Sequence, residues 1–192
     1  TTVTSEEAVL SVVQIDLPAV AAASFNFNDG LLPASAVVYG AGTASDGASE
    51  WLPFVSAAGG VADSGVLQLT ESQNGQSGAF LIDDLNSAAP VYGVAARFDV
   101  RIGGGSDVPA DGMSFNFAAD LPNAPAGEAE EGVGSGLRVC FDIYDNADGN
   151  PNNATGEAPA ITLKWGSTVV AESRLALSDL VTGDGFAEVI VR

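Results

Sequence analysis

Histidine is missing from this sequence, and cysteine occurs only once, at Cys140. Without histidine, the Ser-His-Asp and Cys-His arrangements that activate a nucleophile cannot form, and histidine-based zinc and copper sites are excluded as well. A single cysteine also rules out a disulfide within the chain. A metal site in this chain would therefore depend on oxygen ligands, which are the ligands that calcium prefers.

Positive charge is scarce too, with 6 lysines and arginines against 25 aspartates and glutamates and a formal net charge of −19. Such a surface repels nucleic acids and anionic membranes and attracts divalent cations, although solubility alone would also explain it. No apolar run is long enough to span a membrane, and no signal peptide is recognisable. The chain begins Thr-Thr, and we expect it to be a piece of a larger modular protein of the cell surface or extracellular space.

Helix signals are weak, whereas short alternating runs separated by glycine, asparagine and aspartate turns are common. This pattern predicts an all-β fold, an antiparallel β-sandwich or jelly roll. Residues 1–23 are interpreted as a linker or as the terminal strand of a preceding β-repeat, similar to an immunoglobulin-like repeat, and residues 24–192 as the domain proper. The predicted strands are 8–14, 24–27, 66–69, 78–82, 91–102, 112–118, 136–144, 160–165, 168–171 and 186–191.

The stretch "RVCFDIYDNADGN" at residues 138–150 combines a strand pattern with oxygen-rich side chains. Because side chains alternate across a sheet, its apolar residues fall on one face and its polar residues on the other. The apolar set, which we expect to enter the core, is Val139, Phe141 and Ile143. The polar set is Cys140, Asp142, Tyr144 and Asn146, and the loop that follows adds Asp148 and Asn150.

This stretch resembles the metal-binding strand and loop of the legume-type (L-type) lectins, which belong to the concanavalin A-like jelly-roll group. Two further stretches are similar to the same family and occur in the family's order. "PADGMSFNF" (109–117) resembles the strand whose Ala-Asp-Gly entry supplies the sugar-binding aspartate, and "GVGSGLRVCFD" (132–142) resembles the glycine-rich loop before the metal strand. The resemblance covers roughly residues 24–192 and implies a lectin-like jelly roll.

The resemblance also implies a set of site residues. Calcium would be bound by the Asp142 carboxylate, the Tyr144 carbonyl and the Asn146 side chain, with Asp148 or Asn150 as the late ligand. Sugar would be bound by Asp111, Asn146 and a backbone N–H of Gly134, with Tyr144 offering an aromatic face. A cis peptide bond is implied at Ala110–Asp111.

This chain departs from the family at three points. The family's transition-metal site needs an acidic residue where Cys140 stands and a histidine near Glu157, so we predict no manganese site. Pro151 stands where some members have an aspartate. The chain ends at "FAEVIVR", where members continue through further strands, so we expect the jelly roll to be incomplete at its C-terminus.

Other interpretations of the same residues remain open. Asparagine, aspartate and glycine favour turns without any ligand, so the loop and Asp111 are also consistent with plain turns. Glucanases of the same superfamily place two glutamates and an aspartate where this chain has Cys140, Asp142 and Asp145, which disfavours hydrolysis. The sequence therefore predicts a non-catalytic, calcium-assisted carbohydrate-binding module. The alternatives are a structural or adhesion spacer with a degenerate site and, less favoured, a glycoside hydrolase.

Overall fold

The computed structural model describes residues 21–87, 89–105, 109–146 and 156–192 of the 192-residue chain. Helical structure in these segments is limited to one short helix, α1 (Leu177–Leu180), and two 3₁₀ turns, Val61–Asp63 and Ala129–Glu131. The strands are β1 (Ala36–Ala41), β2 (Phe54–Ser56), β3 (Val66–Gln68), β4 (Ser77–Ile82), β5 (Ala96–Val100), β6 (Gly112–Phe117), β7 (Leu137–Asp142), β8 (Ala160–Trp165), β9 (Thr168–Arg174) and β10 (Ala187–Val191).

These strands form four sheets, and all the pairings among the described residues are antiparallel. The largest sheet has four strands in the order β6-β7-β8-β9, and the other three are pairs: β1 with β4, β2 with β3, and β5 with β10. The predicted all-β, antiparallel class is therefore confirmed. The described segments contain no helix with the length and hydrophobicity that crossing a membrane requires.

The main hydrophobic core lies between the four-stranded sheet and the β5–β10 pair. Val139 and Phe141 of β7 are buried in one cluster with Val191 of β10, while Phe98 of β5 and Phe115 of β6 pack against it. The rings of Phe98 and Phe115 stack across the two layers with their centroids 5.8 Å apart. One face of the four-stranded sheet is thus apolar and covered, as the alternation in residues 138–146 predicted.

A second packed region holds the first four strands together. The Trp51 side chain is 3 % exposed, and its indole N–H donates to the Leu69 carbonyl at 2.8 Å. Phe25 and Phe27 both pack against Phe80 in T-shaped pairs, with ring centroids 5.8 and 6.0 Å apart. The prediction of a strand at 24–27 is wrong, because these residues pack through their aromatic rings and belong to none of the strands in the described part of the chain.

The other predicted strands agree with the structure to different degrees. The prediction for 160–165 matches β8, and those for 66–69, 78–82, 112–118, 136–144, 168–171 and 186–191 match strands to within a few residues. The run predicted at 91–102 contains a strand only at Ala96–Val100, and β1 and β2 were not predicted. The strand predicted at 8–14 lies outside the described residues.

Candidate functional site

The second face of the four-stranded sheet is polar and carries the residues that the sequence singled out. On β7, Cys140 and Asp142 point to this face, opposite to Val139 and Phe141. Cys140 is 1 % exposed and lies between Ser114 of β6 and Thr162 of β8 in the strand register. Cys140 is thus a buried residue within the sheet, and burial raises the pKa of its thiol to about 11.

Asp111 enters this face at the start of β6. The Ala110–Asp111 peptide bond is cis, as the resemblance implied, and the Asp111 side chain is exposed. Its carbonyl accepts a hydrogen bond from the Ile143 amide at 3.0 Å, which ties this entry to the end of β7. Gly112 follows with φ +145°, and a β-carbon there would lie 2.1 Å from the Phe141 carbonyl oxygen. Glycine is required at this position because the two backbones approach so closely.

Asp142 lies at the end of β7 and is 5 % exposed. Its Oδ1 accepts the Tyr144 amide at 3.2 Å, which turns the chain out of the strand. The pKa of this carboxyl is raised to about 6, mainly by burial and to a smaller extent by the negative charges of Glu157, Glu130 and Glu131, against the opposing effect of the Tyr144 hydrogen bond. Asp142 thus carries a proton more readily than an exposed aspartate does.

Glu130 is a site residue that the sequence reasoning missed. It lies on the 3₁₀ turn Ala129–Glu131, is 4 % exposed, and its β-carbon lies 3.1 Å from where a β-carbon on Gly112 would be. Burial is the main cause that raises the pKa of its carboxyl, and the charge of Asp111 contributes. The available signal was the "EAEE" run ahead of the glycine-rich loop, which resembles an ordinary solvated acidic turn.

Asn146 completes this end of the polar face. Its side-chain amide donates to Glu130 Oε1 at 3.4 Å, and its backbone amide donates to Glu157 Oε1 at 3.1 Å. Asn146 and Asp111 thus both lie near Glu130, Asn146 through a hydrogen bond and Asp111 through its effect on the Glu130 carboxyl, while the Tyr144 backbone amide donates to Asp142. Of the remaining predicted metal ligands, Asp148 and Asn150 lie outside the described residues.

Gly134 does not join this group. The atoms nearest to a β-carbon placed on it belong to Ala118, Leu121 and Asp120, beyond the far end of β6 from Asp111. Since β6 has six residues, it separates Gly134 from Asp111 by roughly 17 Å. The expected meeting of the Gly134 N–H with Asp111 and Asn146 around one sugar is therefore not found. The physical reason is that the loop after Glu130 runs along the sheet instead of folding back.

No metal-binding cluster is complete within the described part of the chain, where no three or more His, Cys, Asp or Glu side chains are grouped closely enough to hold an ion. The described oxygen donors of the predicted set are Asp142, Tyr144 and Asn146. Carboxylate, carbonyl and amide oxygens are the ligand types that calcium uses, and calcium takes about six to eight of them. These residues supply ligand types that calcium uses, but the described part of the chain does not by itself form a metal site.

Comparison with known proteins gives no further assignment, since no family model, curated protein or solved structure matches this chain.

Proposed function

We propose that this chain is a non-catalytic carbohydrate-binding module with a lectin-like jelly roll of the concanavalin A type. The observation that supports this most is that Asp111 and Asn146, two residues far apart in sequence, both lie near the buried Glu130: Asn146 donates to its carboxylate, and the charge of Asp111 helps to raise its pKa. Both Asp111 and Asn146 are exposed, and a carboxylate and an amide together can accept and donate hydrogen bonds to sugar hydroxyls. Tyr144, two residues before Asn146, is half-buried and would supply an aromatic ring.

The layered core supports the jelly-roll part of the proposal. The β5–β10 pair packs on the apolar face of the β6–β9 sheet, and the polar face lies on the outside of this pair of layers. A sandwich of two antiparallel sheets has this arrangement. Within a larger cell-surface or extracellular protein, such a module would present the exposed Asp111 and Asn146, at one end of its polar face, to a glycan and connect to neighbouring domains through its termini.

Binding is favoured over hydrolysis by the chemistry of β7. Retaining glycoside hydrolysis needs a carboxylate nucleophile close to a second carboxyl group. Cys140 stands at the nucleophile position, and its raised pKa of about 11 keeps the thiol protonated near neutral pH. A protonated, fully buried thiol is a poor nucleophile, so we favour a binding module over a glucanase.

Calcium is proposed as a structural aid to this site. Asp142, the Tyr144 carbonyl and the Asn146 side chain would hold it, together with Asp148 and Asn150. When bound, calcium would supply positive charge that offsets the crowded carboxylates around Asp142. Asp142 and Asn146 would then be held in one arrangement, with Asn146 presented beside Asp111.

The rival proposal is a structural or adhesion spacer with a degenerate site. One observation favours it: both amide groups of Asn146 already donate to protein carboxylates, of Glu130 and Glu157. A side chain engaged within the protein is less available to a sugar hydroxyl. The two proposals differ in whether any glycan binds, so a binding measurement decides between them.

The carbohydrate proposal is tested on a glycan array in millimolar calcium, with wild type beside Asp111→Asn and Asp99→Asn. Asp99 is an exposed aspartate on β5, in the opposite layer, so its variant makes the same charge change away from the site. We expect Asp111→Asn to weaken binding about 10- to 100-fold, because it replaces a charged hydrogen-bond acceptor. Wild-type binding that Asp111→Asn leaves unchanged would reject this site, and no binding at all would favour the spacer.

The calcium proposal is tested by calorimetric titration of calcium into chelator-treated protein, comparing wild type with Asp142→Ala and Asp99→Asn. Extracellular modules often bind calcium with dissociation constants of about 10⁻⁴–10⁻³ M, so high protein concentrations are needed. We expect heat that is lost in Asp142→Ala and kept in Asp99→Asn. No heat in wild type, with no gain in melting temperature in millimolar calcium, would reject calcium binding.

A further inference from the structure

The segment of residues 128–135, here called the strap, runs along the polar face of the four-stranded sheet and is fastened to it by side chains. At its start, the Ser114 hydroxyl donates to the Ala129 carbonyl. Further along, the Val133 amide donates to Asn116 Oδ1 at 3.0 Å. At its end, the amide of Ser135 donates to Asp120 Oδ1 at 2.8 Å. The strap is therefore held over its length by polar side chains of β6 and the turn after it.

Two cations complete this fastening. Arg138 of β7 donates from Nη1 to the Gly132 carbonyl at 3.2 Å and from Nε to the Gly134 carbonyl at 3.0 Å. Lys164 of β8 forms an ion pair with the Glu131 carboxylate and donates to the Glu131 carbonyl at 3.4 Å. Both positive groups thus point from the sheet into the strap and hold its backbone carbonyls.

The placement of these cations is costly without the strap. Arg138 and Lys164 lie directly opposite each other in the register of β7 and β8, and like charges in such a pair repel. Lys164 is only 8 % exposed, and burying an ammonium group is unfavourable unless it has partners. The chain has just six lysines and arginines, and two of them occupy this one spot. The strap carbonyls and Glu131 supply the compensation that this pair needs.

The strap also places Glu130, which lies beside Gly112 and accepts the Asn146 side-chain amide. Displacement of the strap would therefore move Glu130 away from Asn146 and Asp111. We propose that Arg138 and Lys164 are positioning residues of the candidate site, which fix the strap so that Glu130 orients Asn146. This inference rests on the proposed function for its consequence in binding, but the positioning itself is independent of any ligand.

Hydrogen exchange on the full chain tests the positioning directly, using Arg138→Met, Lys164→Met and the control Arg97→Met. Arg97 is an exposed arginine on β5 that pairs with Glu188, so its variant removes a comparable side chain from the opposite layer. We expect the backbone amides of Val133 and Ser135 and the side-chain amide of Asn146 to exchange about tenfold faster in the first two variants, because local opening of the strap becomes easier and moves Glu130. In the first two variants the amides of β4 should exchange at wild-type rates. In Arg97→Met the amides of the strap and of Asn146 should also exchange at wild-type rates.

Two results would overturn the inference. The first is exchange rates in the strap and at Asn146 that stay within twofold of wild type. The second is an equal rise of the exchange rates in every strand, which would indicate that Arg138 and Lys164 have a merely structural role. If Lys164→Met does not fold, Arg138→Lys tests the inference instead. Lysine keeps the positive charge but lacks the forked guanidinium group with which Arg138 bridges the Gly132 and Gly134 carbonyls. We expect that variant to fold and to raise strap exchange less than Arg138→Met. Equal rates in Arg138→Lys and wild type would overturn the role of the fork.

The link to binding is tested with methyl glucoside, methyl mannoside and methyl galactoside as probes in millimolar calcium. A loosened strap should weaken binding of any glycoside that wild type binds by about tenfold, in parallel with the exchange at Asn146. Unchanged affinity with a loosened strap would overturn the link and leave the proposed function intact. If wild type binds none of the three, the proposed function loses support, while the exchange rates still decide the positioning.

Discussion

The two faces of the four-stranded sheet are buried by different means. On β8, Ala160, Thr162 and Lys164 of the polar face are buried, whereas Ile161 and Leu163 of the apolar face are only partly buried. On this strand the polar side is therefore covered more completely than the apolar side, which faces the β5–β10 pair. Burial in this sheet therefore does not follow hydrophobicity, and the cations of the polar face, Arg138 and Lys164, are covered by a strap that supplies them with partners.

This difference predicts different responses to mutation. On the apolar face, stability depends on the volume and shape of side chains, so removing atoms leaves a cavity. On the polar face, stability depends on hydrogen-bond partners and on charge, so a change of protonation or of backbone position matters more than volume. Three measurements, ordered by expected size, test this contrast.

Phe141→Ala should have the largest effect. Phe141 is 5 % exposed on the apolar face, in contact with the core cluster, and truncation of such a buried ring costs about 3–5 kcal/mol. The free energy of unfolding from urea titration measures this loss. Ile190→Ala is the control, because Ile190 on β10 is 48 % exposed, and its loss should stay below about 1 kcal/mol. Equal losses in the two variants would contradict the assignment of the core.

Gly112→Ala should have an intermediate effect on the free energy of unfolding. Gly112 lies where the backbone of β6 closely approaches the backbone of β7 and the Glu130 side chain. The new β-carbon would lie 2.1 Å from the Phe141 carbonyl oxygen and 3.1 Å from the Glu130 β-carbon, at a φ of +145°. We expect a loss of about 1–3 kcal/mol, as is usual when atoms are forced into a filled site. Gly93→Ala is the matched control, because no atom lies within 4 Å of its β-carbon position. A loss in Gly93→Ala as large as that in Gly112→Ala would refute the steric explanation.

Much of the strand layout could be predicted because it depends on local alternation. The bounds of β8 and the two faces of β7 follow from side chains that alternate between polar and apolar. The prediction failed at 24–27, because "SFNF" has the same alternation, but its phenylalanines pack on Phe80 without strand pairing. A sequence pattern records which residues prefer burial, and the packing partner decides whether a strand forms.

The candidate site could be predicted only in part. Asp111, Asp142 and Asn146 could be predicted as site residues because each lies in a short stretch with a recognisable pattern. Glu130 was missed because its burial depends on the path of the strap, which is fixed by Arg138 and Lys164 on separate strands. The prediction for Gly134 failed for the same reason, since the direction of a glycine-rich loop depends on contacts with residues that are remote in sequence.

The smallest expected effect is a dependence of stability on pH through Asp142. Its pKa is raised from 3.8 to about 6, so the folded state binds a proton that the unfolded state releases. The free energy of unfolding should therefore fall as pH rises through this window, and the stabilisation is lost above pH 6. Acidification from pH 7 to pH 5 should raise it by about 1 kcal/mol through this group, and Glu130 acts in the same direction.

Asp142→Asn isolates this contribution, because an amide keeps the shape and the acceptor for Tyr144 but does not titrate. Urea unfolding at both pH values in the presence of chelator should give a smaller gain in this variant than in wild type, while Asp99→Asn should keep the wild-type gain. Stopping at pH 5 avoids the range in which Asp46, whose pKa is lowered to about 2, would reduce stability as the pH falls. Equal gains in Asp142→Asn and wild type would mean that the polar face is open to water at Asp142. A change of protonation on the polar face would then have no effect on stability, and the two faces would differ only in how their side chains and backbone pack.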